Sequence, residues 1–164
     1  MKATELLTKQ HNEVKALFKS LEKGNGQTAA LLEKLANSLA AHMVIEQELF
    51  YPAVMAVKEP LVLESYEEHA VARFALKRVM KTEPSDRTFK AKVATLRELI
   101  ETHVKEEEED LFPKAEKALG AASERLCDEM KALFDKTVNA GYERTIGHGG
   151  SAVRSAAAPD MHAR

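Results

Sequence analysis

The sequence predicts an all-α protein, an antiparallel up-down-up-down four-helix bundle with an additional C-terminal helix. Apolar residues recur at alternating three- and four-residue steps along most of the chain, the period of a helix with one face turned to a core. Glycine and proline interrupt that period at few points, so connections are short and consecutive helices lie antiparallel. No run of roughly four to eight β-branched or aromatic residues competes as a strand. A composition of 30% charged residues, 5% aromatics and seven glycines also favours helix over sheet.

The first helical segment spans about 4 to 23, with Leu7, Val14, Phe18 and Leu21 on one stripe and His11 filling the gap in it; Asn25 and Gly26 end it. The second spans about 28 to 58, and its stripe reads Leu35, Leu39, His42, Glu46, Leu49, Ala53 before Glu59-Pro60 breaks the pattern. The third, about 61 to 81, carries His69, Ala72, Leu76 and Val79 or Met80 on one face and stops at Thr82-Glu83-Pro84-Ser85. The fourth, about 86 to 118, reads Phe89, Val93, Leu96, Ile100, His103, Glu107, Leu111, with Gly120 as its stop. A fifth segment covers about 121 to 140. From Gly141 the composition shifts to Gly, Ser, Ala and Arg without an apolar face, so the tail 141–164 is expected to be disordered.

With 164 residues the chain forms one domain, large enough to bury about 70% of its unfolded surface. A net charge of −2 gives no overall attraction to nucleic acid or anionic lipid, so neither is expected as a partner. The single cysteine can form neither an internal disulfide nor a cysteine-based zinc site, which leaves any metal to histidines and carboxylates. The N-terminus lacks a continuous apolar stretch of signal-peptide length, and no window approaches the ~18 apolar residues of a membrane span. A cytoplasmic location is the expectation.

Four of the six histidines lie on stripes that would otherwise be apolar, one per helix: His11, His42, His69 and His103. Two are followed four residues later by a carboxylate, Glu46 after His42 and Glu107 after His103. Residues four apart on a helix project from the same face on successive turns, so both pairs point into the bundle. A buried ionised carboxylate without a partner is costly, and cations that use these groups as ligands remove that cost.

An internal repeat strengthens the reading. HMVIEQELFYPA at 42–53 and HVKEEEEDLFPKA at 103–115 share the histidine, the glutamate four residues on, a Leu-aromatic pair and a proline ten residues on. The chain thus reads as two helical hairpins, each offering a histidine and then His-x-x-x-Glu. That suits two metals, each with two histidines, bridged by two carboxylates and roughly 3.5 to 4 Å apart. The Glu-x-x-His signature of ferritin-like di-iron bundles is absent, because Thr8, Leu39, Tyr66, Ile100, Thr145 and Pro159 stand three residues before the histidines. The His-Glu-x-x-His zincin motif is absent too.

The order His11, His42-x-x-x-Glu46, His69, His103-x-x-x-Glu107, with the sequels E-x-E-L-F-Y-P and E-E-D-L-F-P, resembles the hemerythrin-like or HHE cation-binding family. The resemblance covers about residues 1–140 and implies a domain of that extent holding a non-haem di-iron centre, two iron ions that are oxo- or hydroxo-bridged when oxidised. Carried over by position, it implies that His11 and His42 bind one iron, His69 and His103 the other, and that Glu46 and Glu107 bridge. Oxygen-carrying hemerythrins have a further histidine four residues after that of the third helix, where this chain has Arg73. Four histidines imply nearly equivalent irons, as in bacterial HHE proteins linked to oxidative or nitrosative stress.

The resemblance therefore implies a protein that binds or reacts with O₂, H₂O₂ or NO, with catalase-like turnover of peroxide as its enzymatic form. The alternative is an iron store, or an oxygen or iron sensor, without turnover. A small diatomic or peroxide ligand is the expected partner, and the chain is expected to be a monomer or weak homodimer.

Other side chains are expected beside the ligands. Tyr66, three residues before His69, should project toward the site as a phenolate ligand or redox-active neighbour. Phe50 faces inward on an ideal helix, whereas Tyr51 is turned about 100° from it, unless Pro52 kinks the helix. Arg73 is expected to pair with Glu46 or Glu107, or to fill part of the vacated ligand position. In the acidic run 105–110, Glu107 is in register with the core, Glu108 is the alternative bridging carboxylate, and Asp110 is a candidate acceptor for a histidine N–H. Cys127 is expected to be a buried apolar filler. His148 and His162 belong to the tail, away from the site.

Overall fold

The structure is a computed structural model and describes residues 1–24 and 26–147. Helix α1 (Ala3–Lys23) opens with the Lys2 amide donating to Glu5, 2.8 Å, and closes on Gly24 at φ 62°, a left-handed conformation natural to glycine. Helix α2 (Thr28–Ile45) runs without a break through a π-helical turn, Glu46–Phe50, into α3 (Tyr51–Val54) and a 3₁₀ turn, Met55–Val57. Helix α4 (Glu59–Met80) follows, then α5 (Phe89–Glu106), a second π-helical turn at Glu107–Leu111, α6 (Phe112–Leu119) and α7 (Ala122–Ala140). No strand forms among the described residues. No helix among them is long and apolar enough to cross a membrane.

α1 packs on α2 and α4 on α5, with α2–α4 and α1–α5 contacts closing the bundle, and α7 lies across α1 and α2. The fifth helix buries Ser123, Cys127 and Met130 against them. The fourth segment begins at Phe89, the first residue of its apolar stripe and three residues later than the break at Thr82–Ser85 suggests. Asp86 accepts hydrogen bonds from the Thr88 amide and hydroxyl, at 2.7 and 2.6 Å, and holds the chain in a turn there. Beyond α7 the backbone continues into a helical turn at Glu143–Gly147, where Ile146 is buried in the core, so the first residues of the expected tail are ordered. The remainder of that tail, with His148 and His162, lies outside the described residues.

The π-helical turns at Glu46–Phe50 and Glu107–Leu111 sit in the internal repeat, and each is followed by a proline, Pro52 and Pro113, at the start of the next helical segment. Proline has no N–H to donate to the carbonyl four residues back, and its ring crowds that carbonyl. A widened turn ahead of it accommodates both effects and adds one residue to the helical count.

The core has two apolar clusters. One gathers Val14, Phe18, Leu35, Leu39, Leu76, Val79 and Leu96, and the other Leu7, Ile45, Phe50, Tyr51, Val62, Leu111, Cys127 and Met130. On each of the four main helices the inward polar residues fall between the stretches that feed these clusters. His11, His42, Glu46, His69, His103 and Glu107 thus form a buried polar layer across the bundle, none more than 5% exposed.

Candidate metal centre

The four imidazoles meet in two pairs. His11 Nε2 lies 3.1 Å from His42 Nε2, and His69 Nε2 lies 3.0 Å from His103 Nε2. The carboxylates tie the pairs together: Glu46 Oε1 is 3.2 Å from His42 Nε2, and its Oε2 is 3.2 Å from His69 Nε2. Glu107 Oε2 is 3.4 Å from His11 Nε2 and 3.5 Å from His103 Nε2. Each glutamate therefore reaches one histidine of each pair. Ligand atoms from His11, His42, Glu46 and Glu107 all lie within 4.8 Å of one another, as do those from Glu46, His69 and His103.

This donor set fits metal cations. Both oxygens of Glu46 and Oε2 of Glu107 are buried without a hydrogen-bond donor among the described residues, an arrangement costly for a carboxylate unless a cation faces it. The set is imidazole and carboxylate only, which suits first-row transition metals and excludes a thiolate site.

The electrostatics are those of an anionic core. Burial would lower the His103 pKa, but Glu107, Glu68 and Glu46 overcome it and raise it to about 9. His11 also rises, because Glu107, Glu46 and Glu108 outweigh its burial. His69 falls, since its burial exceeds the pull of Glu46. Burial acts to raise Glu46, but His42 and His69 hold its carboxyl well below the usual range. The buried carboxylates thus favour the protonated forms of His11 and His103, and a cation at the same nitrogens would compete with those protons.

The outward nitrogens of three imidazoles are held. His11 Nδ1 lies 2.8 Å from Glu108, His42 Nδ1 2.8 Å from Gln10, and His103 Nδ1 2.6 Å from Glu68. An Nδ1–H donated to these acceptors leaves Nε2 free to ligate and fixes each ring. His69 Nδ1 has no hydrogen-bond partner among the described residues. Sequence reasoning missed Gln10 and Glu68, although the repeat carries a signal for them. Each stands one residue before the first histidine of its hairpin and holds the second. Glu108, expected as an alternative bridge, instead orients His11.

Tyr51 enters the site where an ideal helix would turn it away. The extra residue of the π-helical turn advances the phase, so that Phe50 and Tyr51 are both fully buried. The Tyr51 hydroxyl donates to Glu107 Oε1 at 2.8 Å and lies 3.2 and 3.4 Å from the Nε2 atoms of His69 and His103. Burial first, then Glu107 and Glu46, push its pKa well above that of an ordinary tyrosine.

Other expectations are corrected. The Tyr66 hydroxyl donates to the Gln47 carbonyl at 3.1 Å, and its ring packs on Tyr51, because its side chain follows the bundle surface rather than the core axis. Phe50 packs edge-on against Phe112 in the apolar cluster rather than on the donors. Arg73 forms no ion pair among the described residues, and its Nε lacks a hydrogen-bond partner, so it bridges neither Glu46 nor Glu107. Asp110 pairs with Lys58 and Lys114 at the surface, not with a histidine.

A cavity of about 10 Å³ adjoins the layer, lined by the four imidazoles and by Val14, Leu39, Met43, Ile100 and Val104. On the outer side, Glu108 lines an open groove between α1 and α6.

The sequence model of the hemerythrin HHE cation binding domain matches residues 2–115. A solved structure of an HHE cation-binding domain-containing protein from Mycobacterium kansasii is similar, with a TM-score of 0.76 and 25% identity over 85% of this chain and 89% of that one. A DNA nickase from Nostoc sp. is 28% identical over 140 residues, 83% of this chain; the chain spans 40% of the length of that relative.

Proposed function

This chain belongs to the hemerythrin HHE cation-binding domain family, and from that premise we propose that it holds two iron ions and reacts with O₂, H₂O₂ or NO. The observation that carries the reading is the meeting of four Nε2 atoms and two carboxylates, three of whose oxygens have no other partner, in one buried layer. In this reading His11 and His42 hold one ion, His69 and His103 the other, and Glu46 and Glu107 bridge. The bound pair supplies one- and two-electron chemistry toward small oxidants.

The chain's own residues do the rest. Gln10, Glu68 and Glu108 fix three imidazoles, so that the donors are arranged before a cation arrives. The hydroxyl of Tyr51 keeps a proton at Oη, directed at Glu107, and its raised pKa retains the neutral phenol. The small cavity beside the imidazoles has room for about one water-sized group, and its five apolar side chains exclude bulk water. Glu108 touches both the groove and His11 and so supplies a proton path to the layer.

Anaerobic reconstitution with ferrous iron should load about two ions per chain and give a ferric absorption band on oxidation. Loading that persists unchanged in His42→Ala and Glu107→Ala would overturn the ligand set. Rapid O₂ evolution from excess H₂O₂ identifies catalase-like turnover. An iron store or sensor is the second reading, favoured by the partnerless oxygens of Glu46, which couple cation binding to bundle stability. Inertness toward peroxide together with metal-dependent melting would select it.

A further inference from the structure

We propose that the outward face of α4 is the contact through which two copies of this chain associate, antiparallel and about a two-fold axis. Apart from the terminal Met1, the exposed large apolar side chains among the described residues are Leu63, Val71 and Phe74, at 52%, 51% and 64% exposure. All three lie on α4, and with Ala70 they form one stripe on the side opposite His69, Ala72, Leu76 and Val79. Isolated exposed apolar residues are ordinary, but a set confined to one helix face marks a contact surface.

Charge names the occupant. On that face the N-terminal half carries Glu64 and Glu67, and the C-terminal half carries Lys77, Arg78 and Lys81. None of the five joins an ion pair among the described residues. The nearest of opposite sign, Glu67 and Lys77, are ten positions apart, about 15 Å along the axis and too far to meet within one helix. An antiparallel copy brings Glu64 and Glu67 of one molecule alongside the basic end of the other, twice, with Val71 and Phe74 of both at the centre. A self-complementary patch of this kind is what an isologous two-fold contact requires. The helix dipole accounts for acid at the start and base at the end, but not for the apolar centre between them. Arg78 lies over the Phe74 ring, 5.8 Å from its centroid, and caps the stripe at its basic end.

Area sets the strength. A helix of 22 residues is ~33 Å long and ~10 Å wide, so two such faces cover roughly 700 Å² together, below the ~1,200 Å² of stable complexes. The dimer is therefore weak and salt-sensitive.

Sedimentation equilibrium of the metal-loaded full chain tests this. The mass should rise from 18.2 kDa toward twice that value with concentration, and Phe74→Glu should move the midpoint at least about tenfold higher, a loss typical of a central contact residue. Glu64→Lys with Glu67→Lys should abolish association, as should Lys77→Glu with Arg78→Glu and Lys81→Glu, and an equimolar mixture of the two variants should restore it. Circular dichroism and iron content confirm that each variant is folded and loaded. A wild-type chain that stays monomeric at millimolar concentration, whether residues 148–164 or another protein covers the face, overturns the proposal. So does association unchanged by Phe74→Glu, or a mixture that associates no better than its components.

Discussion

The Tyr51 hydroxyl donates a 2.8 Å hydrogen bond to Glu107 Oε1, joining the residue that follows one π-helical turn to the residue that opens the other. Fifty-six positions separate them, and the bond closes the polar layer on the side where Glu107 has no histidine on that oxygen. Removing it in Tyr51→Phe leaves a buried carboxylate oxygen without its donor. The cost should be about 1 to 3 kcal/mol in the metal-free protein, read as a lower melting temperature with unchanged helical circular dichroism. Iron stoichiometry should be retained. Loss of both ions in this variant would make Tyr51 a ligand rather than a proton donor to Glu107.

Tyr51 reaches the site only through the extra residue of its π-helical turn. Pro52→Ala alone, with no residue removed, should relax the widened turn into an ordinary helix, keep His42 and Glu46 in register, and rotate Tyr51 by about 100°. Tetranitromethane nitration followed by peptide mapping checks this. Tyr51, fully buried in the wild type, should become reactive, and continued protection would show that the turn does not set its direction.

Glu46 and Glu107 are not equivalent. Both oxygens of Glu46 face imidazoles, whereas Glu107 offers one oxygen to His11 and His103 and the other to Tyr51. Glu46→Gln should therefore reduce metal loading more than Glu107→Gln, with near-complete loss in the first and partial loss in the second. Metal analysis of the two purified variants decides the order, and equal retention would contradict it.

Chelation should destabilise the bundle. At a metal concentration about 100 times the dissociation constant, linkage contributes roughly 2.7 kcal/mol, which for a chain of this size is about 5 to 11 °C in melting temperature. Differential scanning calorimetry before and after chelator, and again after iron is returned, measures the shift. In His42→Ala the chelator should have little effect.

Acid should loosen the N-terminus through Glu116. Burial acts to raise its pKa, but hydrogen bonds from Thr4 and Ser123 and the nearby Lys2 ammonium outweigh it and place it below the ordinary 4.5. A depressed carboxyl contributes stability that is present above 4.5 and is lost as pH falls through the lower folded value. Glu116→Gln should melt below the wild type at neutral pH, and the two should converge as pH drops below that value. A constant difference across the range would show that the charge of Glu116 is not the source.

The sequence by itself determined the bundle, the apolar stripes and the inward direction of His11, His42, Glu46, His69, His103 and Glu107, because a 3.6-residue period assigns a face to every position within one helix. Its repeat also anticipated the pairing of the hairpins. Tertiary structure alone decided what surrounds those six residues. Gln10, Glu68 and Glu108 find their histidines on other helices, and such contacts have no signature in local spacing. Tyr51 displaced Tyr66 from the expected place beside the donors because one residue inserted ahead of Pro52 changes the helical phase. Asp110 went elsewhere, since a charged side chain with a route to the surface escapes the desolvation that a buried partner would impose, whereas Arg73 stays partly buried and pairs with neither glutamate. Periodicity fixes which way a residue points within its own helix, and packing between helices decides what it meets.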